Sequence, residues 1–196
     1  MSKQQARARL THQRALQEAG TEFARHGFAD ASLLRIAQRM NLTKGALYGH
    51  FNSKAEIAAA LVALLDELLP HPGDPPTDPH PDPMADPMAD LQELALTVAR
   101  AVESDIQINA ALRLTVDDAL DNDRTPPFLE ELHRRALELQ KSRTPTHPAQ
   151  PAVLADLLVI VLVGAYYTAP TLQRSGMSTR VQAIWDALTP HPSPTP

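Results

Sequence analysis

An all-α fold follows from three features of the 196-residue sequence. Apolar residues recur at three- and four-residue spacing in almost every segment outside residues 70–87, the period of a helix with one buried face. Helix-starting side chains precede those segments: Ser32, Thr43, the pair Ser53-x-x-Glu56, Thr125 before Pro126, and Ser178. Charge is divided unevenly. Residues 1–54 hold nine Lys/Arg and three Asp/Glu, a balance of +6, whereas residues 55–196 hold nine and twenty, a balance of −11. The net charge of −5 therefore conceals a basic module attached to an acidic body, and the local field rather than the total attracts or repels a polyanion. The predicted organisation is an N-terminal helix-turn-helix domain of three or four helices over 1–54, a connecting helix over 55–69 and a Pro-rich linker over 70–87. A C-terminal helical bundle over 88–189 and a tail over 190–196 complete it.

In chain order, residues 1–10, with Lys3, Arg7 and Arg9, read as a basic, frayed arm. Thr11 or an earlier residue opens a helix with Leu16, Ala19, Phe23 and Ala24 at helical spacing. Gly27 ends it as a left-handed glycine, and Phe28 folds back onto the last turn. Ser32 caps a second helix with Leu33, Ile36, Ala37 and Met40 inward, and Asn41 tolerates the left-handed backbone of a tight turn. Thr43 caps a third, short helix. Its Leu47 and Phe51 share one face, leaving Thr43, Lys44, Tyr48 and His50 on the others. Ala37 is small where two helices approach, Asn41 sits four later and Leu47 ten later, which is helix-turn-helix spacing. Other helical hairpins share that spacing; the charge split and the exposed Lys-Tyr-His set favour DNA. Ser53-x-x-Glu56 opens a fourth helix with Ile57, Leu61, Leu64, Leu65 and Leu68 on its apolar side.

Eight of residues 70–87 are proline, which removes N–H donors and predicts an extended connection. Its His71 and His80 read as solvated linker, not metal ligands. Helical spacing resumes at about Met88, with segments around Leu91–Val102, Ile108–Val116, Phe128–Leu139, Leu154–Ala165 and Val181–Leu188. The segment 157–167 is apolar nearly all round, which implies burial on more than one side. That predicts a homodimer joined through 152–169 and 178–189, with Leu158, Val161, Leu162, Ala165, Ile184 and Trp185 at the interface. Asp156 interrupts the apolar run 152–169, so a buried helix is expected there and no membrane partner.

The absence of cysteine removes disulfides and thiolate metal sites and fits a reducing compartment, here the cytoplasm. No signal peptide is expected. An enzyme using His133, Asp117 or Asp118 stays open as a remote alternative, without a nucleophile–base constellation, phosphate loop or metal spacing to support it. No cofactor or metal is expected.

Thr-Lys-Gly-Ala-Leu-Tyr-x-His-Phe-x-Ser-Lys-x-Glu-Ile-Ala at 43–58, within 27–61, resembles the DNA-binding domain of TetR-type transcriptional regulators. Ala111-Leu112-Arg113-Leu114-Thr115 and Arg180-Val181-x-x-Ile184-Trp185-x-x-Leu188 are similar to the gamma-butyrolactone receptor-like branch, which controls secondary metabolism. The resemblance implies a homodimeric repressor of double-stranded operator DNA, with a C-terminal body for dimerisation and a small hydrophobic ligand. It departs from that branch after Pro127-Phe128, where Leu129, Glu130 and Glu131 stand in place of a tryptophan. A regulator that senses no small molecule and acts by autoregulation or partner contact is therefore the second reading.

Chemistry assigns the DNA contacts. Lys44 reaches guanine O6 or N7, Tyr48 touches a thymine methyl or a phosphate, and Gly45 permits close backbone approach. Thr43 offers a hydroxyl at a helix N-terminus, His50 and Lys54 bind phosphate, and Ser32 combines capping with a phosphate contact. Two such helices in a dimer read half-sites about 34–36 Å apart. Leu112, Val116, Phe128 and Tyr166 are the expected ligand lining.

Overall fold

The computed structural model describes residues 3–69, 87–122, 124–141, 150–168 and 176–188; the stretch 70–86 and the tail 190–196 lie outside them. All regular elements among the described residues are helical, as expected. They are α1 (Lys3–Asp30), α2 (Leu33–Arg39), α3 (Lys44–Tyr48), α4 (Lys54–Val62), α5 (Pro87–Ser104), α6 (Ile106–Asn122), α7 (Pro127–Lys141), α8 (Pro151–Thr168) and α9 (Met177–Leu188). A 3-10 turn, Ala63–Leu68, continues α4. The chain divides into two compact units, one reaching Leu68 and including Ser104–Pro126, the other formed by Leu69–Glu103 and the residues from Pro127 onward.

In the first unit, the arm expected to fray is helical from Lys3, and the Thr11 hydroxyl donates to the Arg7 carbonyl at 3.0 Å. Ala15, Ala19 and Phe23, spaced by four, are fully buried. Gly27 does take a positive φ, but at φ 67 and ψ −173 it lies in the extended positive-φ region rather than the left-handed helical one. The ring of Phe28 returns over Phe23, nearly parallel, with centroids 6.1 Å apart. Asn41 has φ 55, the left-handed turn residue predicted.

The helix α6 falls within the 88–189 segment of the sequence yet belongs to this first unit, packing on α1, α4 and the 3-10 turn. Two local features seat it. A Cβ on Gly20 would stand 3.2 Å from the Gln107 Cα, so glycine permits the close crossing of α1 and α6. Further along, Arg113 Nη1 donates to the Ala24 carbonyl at 2.8 Å. Arg113 also pairs with Asp117, and the two side chains fill the space beside Gly27.

In the second unit α7 packs on α8 and α8 on α9. Trp185 is fully buried and its Nε1 donates to the Met88 carbonyl at 3.2 Å, tying α9 to α5. The start of α9 is capped from outside its own sequence: Glu103 on α5 accepts from the Ser178 N–H at 3.1 Å. A Cβ on Gly176 would collide with that carboxylate. The helix therefore begins at Met177, one residue before the expected Ser178 cap, and α7 begins at Pro127 rather than Pro126.

By length and composition α8 is long and apolar enough to cross a membrane, with mean hydropathy 1.8. Its Leu154, Ala155, Leu158, Val161, Leu162 and Ala165 are buried inside the unit. The opposite stripe, Val153 (54% exposed), Asp156, Ile160 (66%), Gly164 and Tyr167 (41%), is exposed. The six residues expected at the interface lie elsewhere on the protomer than this stripe. Leu158, Val161, Leu162, Ala165 and Trp185 are core residues of the protomer, and Ile184 is half-buried. A helix apolar all round carries no periodic mark of which stripe its own fold covers.

Candidate nucleic-acid interface

The short helix α3 is built to present rather than to pack. Thr43 caps it, its hydroxyl accepting from the Ala46 N–H at 3.1 Å. Leu47 (2% exposed) and Phe51 (3%) fasten one side into the unit. Thr43, Lys44, Gly45, Ala46, Tyr48 and Gly49 are left exposed on the other sides. The Lys44 ammonium lies 5.8 Å from the Tyr48 ring centroid, so cation and ring share one surface. Nothing crowds Gly45 beyond the Thr43 hydroxyl, 3.9 Å from where a Cβ would stand. His50 is half-buried, and Phe51 stacks on His12 of α1 with centroids 4.4 Å apart.

Behind α3, α2 is held by a buried carboxylate that sequence reasoning missed. Glu22 on α1 is fully buried and accepts from Arg35 Nε at 2.7 Å, Arg39 Nη2 at 2.5 Å and the Ser32 N–H at 2.9 Å. Burial alone raises its pKa. The hydrogen bonds from Arg35, Ser32 and Arg39, with the Arg35 charge, outweigh burial and hold it at about 2, against 4.5 ordinarily. The signal available in sequence was an acid within a basic stretch, with two arginines 13 and 17 residues on. Ser32 caps α2 as expected, its hydroxyl accepting from Arg35 N–H at 3.4 Å, but it is half-buried and its own N–H is committed to Glu22.

Lys54 is placed differently from the phosphate contact expected. Its ammonium donates to the carbonyls of Phe28 (2.6 Å), Ala29 (3.1 Å) and Ala31 (3.2 Å) and stands 4.6 Å over the Phe28 ring. An ammonium has three donors, and three carbonyls take them. Lys54 thus fastens the start of α4 to the corner between α1 and α2. The neighbouring capping box also differs by one residue. Ser53 accepts from the Glu56 N–H at 3.0 Å, while Glu56 accepts from the N–H of Asn52, not of Ser53, at 2.6 Å.

The residues weighed for other chemistry have local partners. Asp117 pairs with Arg113, Asp118 with Arg124 and Asn122, and His133 with Asp156 at 2.9 Å. No group of three His, Asp or Glu that could hold a metal occurs among the described residues. The expected ligand-lining residues divide between the units: Leu112 and Val116 are buried in the first, and Phe128 is buried and Tyr166 half-buried in the second.

Residues 15–61 match the family described as bacterial regulatory proteins, tetR family. The chain carries a TetR-family N-terminal domain. A 58-residue segment is 41% identical to TtgW, an uncharacterized HTH-type transcriptional regulator of Pseudomonas putida, spanning 30% of this chain and 43% of TtgW. The chain thus matches less than half the length of that curated relative. Beyond the TetR-type domain the likeness is one of fold. CprB of Streptomyces coelicolor, a TetR family protein solved in complex with its biological operator sequence, aligns with TM-score 0.70 at 23% identity, over 93% of this chain and 88% of CprB. A gamma-butyrolactone receptor, an ArpA-like protein, aligns with TM-score 0.68 at 21% identity, over 93% and 87%.

Proposed function

We propose that the protein is a DNA-binding transcriptional regulator that reads a near-palindromic operator as a homodimer. The observation that carries this reading is α3: a capped helix anchored by Leu47, with Lys44, Gly45 and Tyr48 all exposed on a TetR-type domain. Lys44 reads guanine O6 or N7, a contact worth about 1–3 kcal/mol of discrimination, and Tyr48 lies against a thymine methyl or a phosphate. Thr43 and His50 set register on the backbone. Ser32 and Lys54 act behind the contact surface, holding α2 and α4.

Pairing of two copies through the exposed stripe of α8, Val153, Ile160, Gly164 and Tyr167, with Leu188 of α9, supplies the two-fold symmetry of the operator. A small hydrophobic effector, of the kind named for the gamma-butyrolactone receptor of similar fold, releases the DNA. Its route is α6, which packs on α1, α4 and the 3-10 turn in the same unit as α3. Such coupling is typically about 1–3 kcal/mol.

The test is selection of duplex DNA from random sequence by the wild type and by Lys44→Ala. An enriched near-palindrome that loses preference at one base pair per half-site in the variant is the expected result. A folded dimer that enriches nothing at low salt overturns the reading. Thermal-shift screening with gamma-butyrolactones then tests the effector; no stabilisation leaves a regulator without a small-molecule signal.

A further inference from the structure

We infer that the first turns of α1 form a second DNA-contacting surface, a basic ledge that grips backbone phosphates flanking each half-site. The inference rests on the DNA-binding reading above and adds a contact that α3 does not make. Arg7, Leu10, Thr11 and Arg14 are spaced by three, four and seven, so they lie along one face of α1. That face has a known neighbour. Leu10, Thr11 and Arg14 line a groove of about 200 Å3 whose other wall is Met40 and Leu42, the turn that leads into Thr43 and α3. On the adjacent face of the same turn, His12 stacks against Phe51, just past the end of α3. The ledge therefore borders the turn that leads into the reading helix, and the helix that carries it also touches the residue just past that helix's end.

Its composition fits a polyanion. Residues 3–17 contain Lys3, Arg7, Arg9 and Arg14 and no acid, and residues 5–10 are all exposed. The first acid along α1, Glu18, is turned to Arg39. Arg7 and Arg14 stand about 10 Å apart along the helix, from the rise per residue. Phosphate contacts of this kind carry no base preference; they add affinity and salt dependence. Leu10, 66% exposed beside the groove, is the apolar surface that a deoxyribose edge would cover.

The test compares wild type, Arg7→Ala/Arg14→Ala and Arg7→Lys/Arg14→Lys on two duplexes. One is the selected operator trimmed to its enriched bases; the other carries a further helical turn, about 10 base pairs, on each side. Each phosphate contact contributes about 0.9 to the slope of log affinity against log salt. On the flanked duplex the alanine pair should lose a slope of about 2, so its affinity falls about tenfold less than that of the wild type between 50 and 200 mM salt. The lysine pair should keep the wild-type slope, and on the trimmed duplex all three should converge. An unchanged slope, or a loss of equal size on the trimmed duplex, overturns the ledge. If the wild type selects an operator and Lys44→Ala relaxes it while the alanine pair matches the wild type, the regulator stands and the ledge falls. If no operator is selected, both fall.

Discussion

Gly27 and Lys54 sit on either side of one corner and are constrained for different reasons. At φ 67 and ψ −173 Gly27 occupies backbone that is nearly exclusive to glycine. A Cβ there would also meet the Asp117 carboxylate at 3.0 Å. Gly27→Ala should lower unfolding free energy by about 1–3 kcal/mol, read by urea titration; an unchanged midpoint would show that the corner relaxes freely. For Lys54 the geometry makes a sharper distinction. A residue bound to phosphate carries a share of the salt slope, about 0.9 per contact, whereas one bound to three carbonyls carries none. Lys54→Met should therefore weaken operator binding, by loosening α4 from the α1–α2 corner, with its salt slope unchanged. A slope reduced by about 1 would return Lys54 to the phosphate contacts.

At the scale of elements, α2 is stationed by charge and α3 by two apolar anchors. The Glu22 carboxylate joins α1 to Arg35 and Arg39 of α2 from a fully buried position. Its pKa of about 2 lies below the ordinary 4.5, so the folded state favours the ionised form more than the unfolded chain does. The resulting stabilisation is present in full above about pH 4.5 and is lost as the pH falls toward 2. That difference corresponds to a contribution on the order of 3 kcal/mol. Wild-type stability should thus fall more steeply than that of Glu22→Gln between pH 4.5 and 2, followed by denaturant titration at each pH. Parallel curves would remove Glu22 as the acid-sensitive clamp. The same corner shows how α6 and α4 reach the reading head. Arg113 holds Ala24 from one side, and Lys54 holds Phe28, Ala29 and Ala31 from the other.

For the whole molecule, the decisive surface is the outer stripe of α8. Ile160 is 66% exposed on a helix of mean hydropathy 1.8, in an exposed strip that is apolar but for Asp156 and of the sort that marks association. Ile160→Asp should convert a dimer to monomers in sedimentation analysis and reduce operator affinity, leaving the protomer folded because the substituted side chain lies outside its core. Leu158→Asp, by contrast, should unfold the protomer, since Leu158 is fully buried within it. A dimer that survives Ile160→Asp would place the two-fold contact elsewhere.

The caps at Ser32, Thr43 and Ser53, the positive φ at Gly27 and Asn41, and the Leu47–Phe51 anchor were all legible in the sequence. Each depends on neighbours within about four residues, where the helix period and backbone sterics dictate the outcome. The exposure of Thr43, Lys44 and Tyr48 was legible for the same reason, whereas His50, expected with them, is half-buried. Tertiary structure alone decided what depended on distant partners. Lys54 finds carbonyls 23 to 26 residues earlier, Arg113 finds one 89 residues earlier, and Glu22 finds arginines on another helix. It also assigned α6 to the N-terminal unit and chose which stripe of α8 faces inward. Long side chains take whichever partner the fold brings within reach, and a helix apolar on every side packs whichever stripe its neighbours meet; neither choice is written in local spacing.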